Sequence, residues 1–214
     1  MKNIVIVGAG GVGREVSLII QQINQLDPTW NLLGYIDDNV EMWGKVINGY
    51  VVIGGIDTLL MMEKDTYVII AMASYKVKKA IVKKLNNKFK FATIIHPKVW
   101  IHDFMKIGED CIVYEGVVLT ANINIGDHVI ISPKCGIGHD SVISDYVSLL
   151  WNVNISGNDK ISEGVMFGSG STIIQGKTVG KGAIIGAGAV VIDNIPEDVT
   201  VVGVPAKIIK LHEN

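Results

Sequence analysis

From Ile95 to Val191 a large apolar residue stands at every sixth position. The column runs Ile95, Ile101, Ile107, Val113, Leu119, Ile125, Ile131, Ile137 and Ile143. It continues through Leu149, Ile155, Ile161, Phe167, Ile173, Val179, Ile185 and Val191 without a gap. Neither a helix, at about 3.6 residues per turn, nor an alternating strand has that period. It predicts a parallel β-helix with three flat faces, one hexapeptide per face and about eighteen residues per coil. Each large aliphatic points into a triangular core, and stacked coils pair their backbones ~4.8 Å apart. A smaller inward residue is expected four places later, as at Val99, Met105, Cys111, Val117, Ile123, Val129, Cys135, Ser141, Val147 and Val153. Asp159 and Lys177 break this second column, which predicts irregularities around Gly157–Asp159 and Gly176–Lys177. Gly108, Gly126, Gly138, Gly168, Gly180 and Gly186 directly follow a large aliphatic, where a missing Cβ relieves crowding at a corner.

The first ninety residues follow other periods. Ile4–Val7 is a continuous apolar run, as a buried parallel strand requires. It feeds Gly8-Ala9-Gly10-Gly11-Val12-Gly13 and a helical pattern from Arg14 to Leu26, stopped by Asp27-Pro28. Leu32–Ile36 reads as a second strand ending on Asp37-Asp38, and Val51–Gly55 as a third. Ile56–Met62 reads as a short helix, Thr66–Ala71 as a buried strand and Tyr75–Asn86 as a basic amphipathic helix. Strands alternating with helices predict a small Rossmann-like parallel sheet over residues 1–92, followed by the β-helix and tail over 93–214.

Composition narrows the function. With 19 Lys and Arg against 21 Asp and Glu, the net charge of −2 argues against nucleic-acid binding. No apolar run reaches ~18 residues, so no membrane span is expected. The Met1-Lys2-Asn3 start leads directly into a strand rather than a signal peptide, which implies a cytoplasmic protein. Cys111 and Cys135 fall on inward positions and read as small core residues. No histidine pair has metal-ligand spacing, so no metal is expected.

The glycine run has the dinucleotide-binding form, with acids at the end of the next strand. Only about four strands precede the β-helix, half the usual dinucleotide cradle, so an NAD module is a rival and not the preferred reading. Bare N–H groups at a helix N-terminus still suit a phosphate. In the β-helix, His139 follows Gly138 at a corner, where a side chain points outward and a base of near-neutral pKa can act. Gly157 lies one coil on, with an N–H placed to hold an oxyanion.

The whole chain resembles the bacterial sialic acid O-acetyltransferase-like group, which includes trimeric acetyl-CoA-dependent N-acetyltransferases of nucleotide-linked amino sugars. The resemblance rests on the glycine run, Tyr35-Ile36-Asp37-Asp38, Ile95-His96-Pro97, Gly138-His139-Asp140 and Gly203-Val204-Pro205-Ala206-Lys207. It implies a left-handed β-helix and a homotrimer. It implies His139 as general base, with Asp140 beside it and Gly157 above. Gly10, Gly11, Val12, Gly13, Asp37, Asp38, Met72 and Ala73 are then the sugar-nucleotide site. Ser148, Gly157, Gly168, Gly186 and Lys207 line the acetyl-CoA groove, with Lys207 near the 3′-phosphate. The chain departs from the family at Val12, where relatives have His, at Ser148, where a second family His stands, and at Ser132, where they have Asn.

The expected reaction is acetylation of the amine of a nucleotide-linked amino sugar. O-acetylation of sialic acid or a related sugar is the near rival, and a non-catalytic nucleotide-sensing scaffold a distant one. His96 and His102 are expected to cap the first coil, and His128 to be a surface residue. The lysines at 76, 78, 79, 83 and 84 are expected to form a solvated face. Trp151 lines the acetyl-CoA groove or packs on a neighbouring protomer. The chain is expected to leave the β-helix at Pro196.

Overall fold

The computed structural model describes residues 1–212. They fall into two compact units, Met1–Pro97 and a second beginning at Lys98. None of the described helices is long and apolar enough to cross a membrane.

In the first unit, strands β1 (Lys2–Val7), β2 (Trp30–Ile36), β3 (Val46–Ile47), β4 (Tyr50–Gly54), β5 (Tyr67–Ile70) and β6 (Lys90–Phe91) form one sheet. Its order is β3-β4-β2-β1-β5-β6. Only the β3–β4 hairpin is antiparallel. Helices α1 (Gly11–Leu26), α2 (Ile56–Leu60) and α3 (Tyr75–Leu85) make the connections. β1 is central and its residues Ile4–Val7 are fully buried, which explains their unbroken apolar run. The chain passes from β1 to β2 on one side and returns to β5 on the other. The carboxyl ends of β1, β2 and β5 therefore flank a topological switch point, where open α/β sheets bind ligands.

The expected solvated lysine face of α3 needs one correction. Lys76, Lys79, Lys83 and Lys84 are exposed, but Lys78 is buried, at 2% exposure. It precedes the buried Ile81 and Leu85 by three and seven residues, so helical geometry puts it on the inward stripe.

The second unit is a left-handed parallel β-helix. Val118, Gly136, Asn154, Thr172 and Val190 succeed one another on one face. Lys106, Asn124, Val142, Lys160 and Thr178 do so on another. Ile112, Ile130, Ser148, Met166 and Ile184 do so on the third. Every step is one coil in strict register. The large aliphatics from Val113 to Val191 are at most 7% exposed. Truncating one to alanine inside such a core costs about 2–5 kcal/mol.

Each corner turns through a left-handed residue three places after the large aliphatic. Asp110, Asn122, His128, Lys134, Asp140, Tyr146, Asn152 and Asn158 take this position, with φ between 54° and 63°. Glycine holds it at 116 and from 164 onward. The glycines directly after the aliphatics have a separate cause. A Cβ at Gly138 would stand 2.5 Å from the Gly157 nitrogen, so these positions are where neighbouring coils touch.

Two sequence expectations fail here. The coil does not end at Pro196, because Val199–Val202 pairs in parallel with Ile184–Ile185 and only then turns into antiparallel Lys207–Leu211. Val199 and Val201 bury their side chains, which is what extends the coil. Nor is there an irregularity at Asp159 and Lys177. Asp159 occupies its inward position with 0% exposure, and its Oδ1 accepts the Lys177 N–H at 2.7 Å. The two exceptional residues occupy successive coils and are joined by this bond.

Burial pushes the Asp159 carboxyl up to about 6, from an ordinary value of 3.8. The folded chain thus binds a proton that the unfolded chain releases at lower pH. Stability from this group is complete below about pH 4 and is lost as pH rises through about 6, a loss of about 2–3 kcal/mol. Asp159→Asn should abolish that slope. Urea unfolding at pH 4.5 and pH 7 should show the variant gaining on the wild type as pH rises. A constant difference between them contradicts this assignment.

Candidate active site

In the first unit the glycine run is a tight strand-to-helix turn. A Cβ at Gly13 would lie 1.9 Å from the Gly8 carbonyl oxygen, so α1 packs against the strand end only with glycine there. Gly10 caps α1 with no side-chain hydrogen bond, and Cβ atoms at Gly10 or Gly11 would meet nothing within 4 Å. The first turn of this 16-residue helix carries no acid, and a helix N-terminus of that kind suits an anion. Val12 is half-buried and Gly13 buried on the same turn.

The Asp37 carboxylate braces this loop. Its Oδ2 accepts the Ala9 N–H and its Oδ1 the Asn39 N–H, both at 2.9 Å. Asp38 Oδ1 accepts the Ile56 N–H at 2.8 Å and so caps α2. Beside them opens a cleft of about 530 Å³. Val7, Ile36, Met72, Val77, Ala80 and Ile81 give it apolar walls, and Asp37, Asp38, Lys76 and Lys84 line it too. Lys84 is bound to Asp57 at 2.8 Å. Ala73, half-buried, follows Met72.

In the second unit, His139 and Asp140 are each about half exposed and joined by a 2.8 Å contact between Nδ1 and Oδ2. Neighbouring residues on a strand point to opposite sides. Here the left-handed conformation of Asp140, at φ 60°, turns its side chain back to the imidazole. One coil earlier, Asn122 donates from Nδ2 to Asp140 Oδ1 at 3.0 Å. Asn122 first, and His139 after it, hold the Asp140 carboxyl below its usual range by hydrogen-bonding to it. The imidazole lies over Gly157, where a Cβ would stand 2.5 Å from Nε2. The His139 carbonyl accepts the Asn158 N–H at 2.6 Å. With Nδ1 donating to a carboxylate, Nε2 is left to accept a proton.

Comparison with known proteins agrees with both halves. Residues 3–85 match the family described as the PglD N-terminal domain. Over 98% of each chain, the fold superposes with a TM-score of 0.88 and 25% identity on a mutant perosamine N-acetyltransferase from Caulobacter crescentus, in complex with CoA and GDP-perosamine. The acetyltransferase domain of PglB from Neisseria gonorrhoeae, with acetyl coenzyme A, gives 0.88 at 28% identity, covering 97% of this chain and 99% of that one. WeeI from Acinetobacter baumannii gives 0.87 at 31% identity, covering 98% of this chain and all of that one. The chain belongs to the family of bacterial sugar acetyltransferases. Its matches to curated acyltransferases are shorter and span 14% and 35% of those proteins' lengths.

The other residues singled out from the sequence of this sugar acetyltransferase fall in several places. Gly168 and Gly186 stack one coil apart at a corner following the face of Phe167 and Ile185, whereas His139 follows the face of Ile137. Ser148 is buried in that former face, at 3% exposure, and Ser132 is buried at 7%. Lys207 opens the exposed final strand. Trp151 is exposed at a third position, 51% accessible. His96 is buried, and His102 packs on Trp100 with centroids 4.0 Å apart and the rings tilted by 43°.

His128 is not the surface residue expected. It is 6% exposed, its Nδ1 lies 2.9 Å from the fully buried Asp110 carboxylate one coil earlier, and it stacks on Tyr146 one coil later. The eighteen-residue column Asp110–His128–Tyr146 carried that signal. Burial pushes the Cys135 thiol up to about 11, and its S–H donates to the Leu150 carbonyl at 2.9 Å, so it is no nucleophile. Among the described residues no group of three or more His, Cys, Asp or Glu is arranged to hold a metal.

Asn122 is the site residue that sequence reasoning missed, although it stands one coil before Asp140. Asn122→Ala should raise the titration midpoint of the Asp140 carboxyl, read by ¹³C NMR. An unchanged midpoint means that the imidazole alone sets it.

Proposed function

We propose that this chain transfers the acetyl group of acetyl-CoA to the amine of a nucleotide-linked amino sugar, with His139 as general base. The carrying observation is the His139–Asp140 pair seated on Gly157. The amine nitrogen attacks the thioester carbonyl and forms the new C–N bond. His139 Nε2 takes the amine proton. The C–S bond then breaks, CoA leaves as thiolate, and the imidazolium returns the proton to it. Asp140 holds the tautomer and steadies the imidazolium. Gly157 supplies its N–H to the oxyanion. The attack is direct, so neither cysteine is needed as a nucleophile.

The α1 N-terminus at Gly10–Gly13 receives the diphosphate, and the cleft beside Asp37, Asp38, Met72 and Ala73 receives the nucleoside. The relative crystallised with CoA and GDP-perosamine supports this substrate class. Val12 and Ser148 put no family histidine against sugar or thioester, so the imidazole of His139 carries the proton transfer alone.

We read the working form as a cytoplasmic homotrimer. Acetyl-CoA touching both His139 and Gly168 or Gly186 must reach two different corners, which a second protomer brings together. Val118 and Val142 expose apolar side chains on two of the flat faces, Ile174 and Ile192 at a corner, and all four suit such packing.

The deciding experiment incubates the protein with acetyl-CoA and a panel of UDP-, dTDP-, GDP- and CMP-linked amino sugars. An amide product that survives mild alkali is expected. An alkali-labile ester would instead mark O-acetylation of the sialic acid type. His139→Ala should lower kcat by ~10²–10⁴ with both KM values nearly unchanged. Retention of more than about a tenth of kcat places the base elsewhere. Gly157→Ala should lose at least ~10-fold in kcat, because the methyl displaces the imidazole, while stability changes by under about 1 kcal/mol. Full activity in that variant contradicts the seating of the base.

A further inference from the structure

Asp159 is the one carboxylate in the inward column of the β-helix, whose equivalent positions hold Val147, Val153 and Val165. A valine fills the space, so the acid is not there for packing. Its Oδ2 is buried and finds no hydrogen-bond partner among the described residues, an arrangement that proteins seldom keep without a use.

The bonds around it converge on the turn from Ser156 to Asp159. Ser141 Oγ donates to the Ser156 carbonyl at 2.9 Å and receives the Asp159 N–H at 3.3 Å. Asp159 Oδ1 accepts the Lys177 N–H at 2.7 Å. The Gly157 carbonyl accepts the Gly176 N–H at 3.0 Å. The turn is thus tied to the coil below through Ser141 and to the coil above through the acid. Its outer surface is Gly157, the seat of the His139 imidazole.

We propose that Asp159 is a positioning residue for acetyl transfer, fixing from inside the β-helix the height of Gly157 against His139. This rests on His139 being the base. A valine would fill the volume but leave Lys177 N–H unheld, and the turn would be free to shift by a fraction of an ångström. Reacting groups tolerate little such error.

The test compares three variants of the full-length protein, each checked for folding by circular dichroism. Asp159→Asn keeps an oxygen for the Lys177 N–H and should retain kcat within about threefold. Asp159→Val should fold at least as stably as wild type yet lose about tenfold or more in kcat, with both KM values within about twofold. Asp159→Ser, the residue of this column at 141 and 171, replaces the valine variant should that one not fold. On the His139→Ala background the same substitution should cost nothing further. A folded Asp159→Val or Asp159→Ser with near wild-type kcat overturns the proposal, as does an Asn variant equally impaired, or a full additional loss on the His139→Ala background. High activity of His139→Ala by itself overturns the base assignment instead, whatever Asp159 does.

Discussion

Parallel stacking at an interval of eighteen residues is the constraint from which the rest of the second unit follows. Strand N–H groups find carbonyls one coil away, as Gly138 does at Ile155 and Gly157's neighbour Ser156 does at Ile173. Side chains eighteen apart are therefore brought into contact whatever their chemistry. Core packing uses this to stack aliphatic on aliphatic. The active corner uses it to set Asn122 under Asp140, and His139 under Gly157.

A Cβ at Gly157 would stand 2.5 Å from His139 Nε2, so a glycine accompanies the imidazole. The His139–Asp140 contact is available because a left-handed corner residue reverses the usual alternation of side chains. The same rule makes His128 and Asp110 a similar pair, but on a corner where both are buried, 7% and 0% exposed. The two pairs differ in exposure: the side chains of His139 and Asp140 are about half open to solvent.

The β-helix was legible because its period is long, unbroken and unlike any other. The strands and helices of the first unit were legible from apolar runs, glycines and the Asp27-Pro28 stop. The two-residue β3 was not, because so short a strand has no period. The burial of Lys78 lies in its helical phase with Ile81 and Leu85, which charge alone does not show. Asp159 was seen as an exception, and its bond to Lys177 required coordinates, since only they show that the register stays intact. Likewise Asp37 and Asp38 stood out at a strand end, but their bonds to Ala9 and Ile56 give them a bracing task that no spacing reveals.

The most direct test is a crystal structure with CoA and the nucleotide-linked amino sugar that the substrate panel selects. The sugar amine should lie within about 3.2 Å of His139 Nε2, the reach of a base to the proton it takes. Its diphosphate should rest on the N–H groups of Gly10–Gly13. An amine held away from His139, with another titratable group at its nitrogen, would contradict the account.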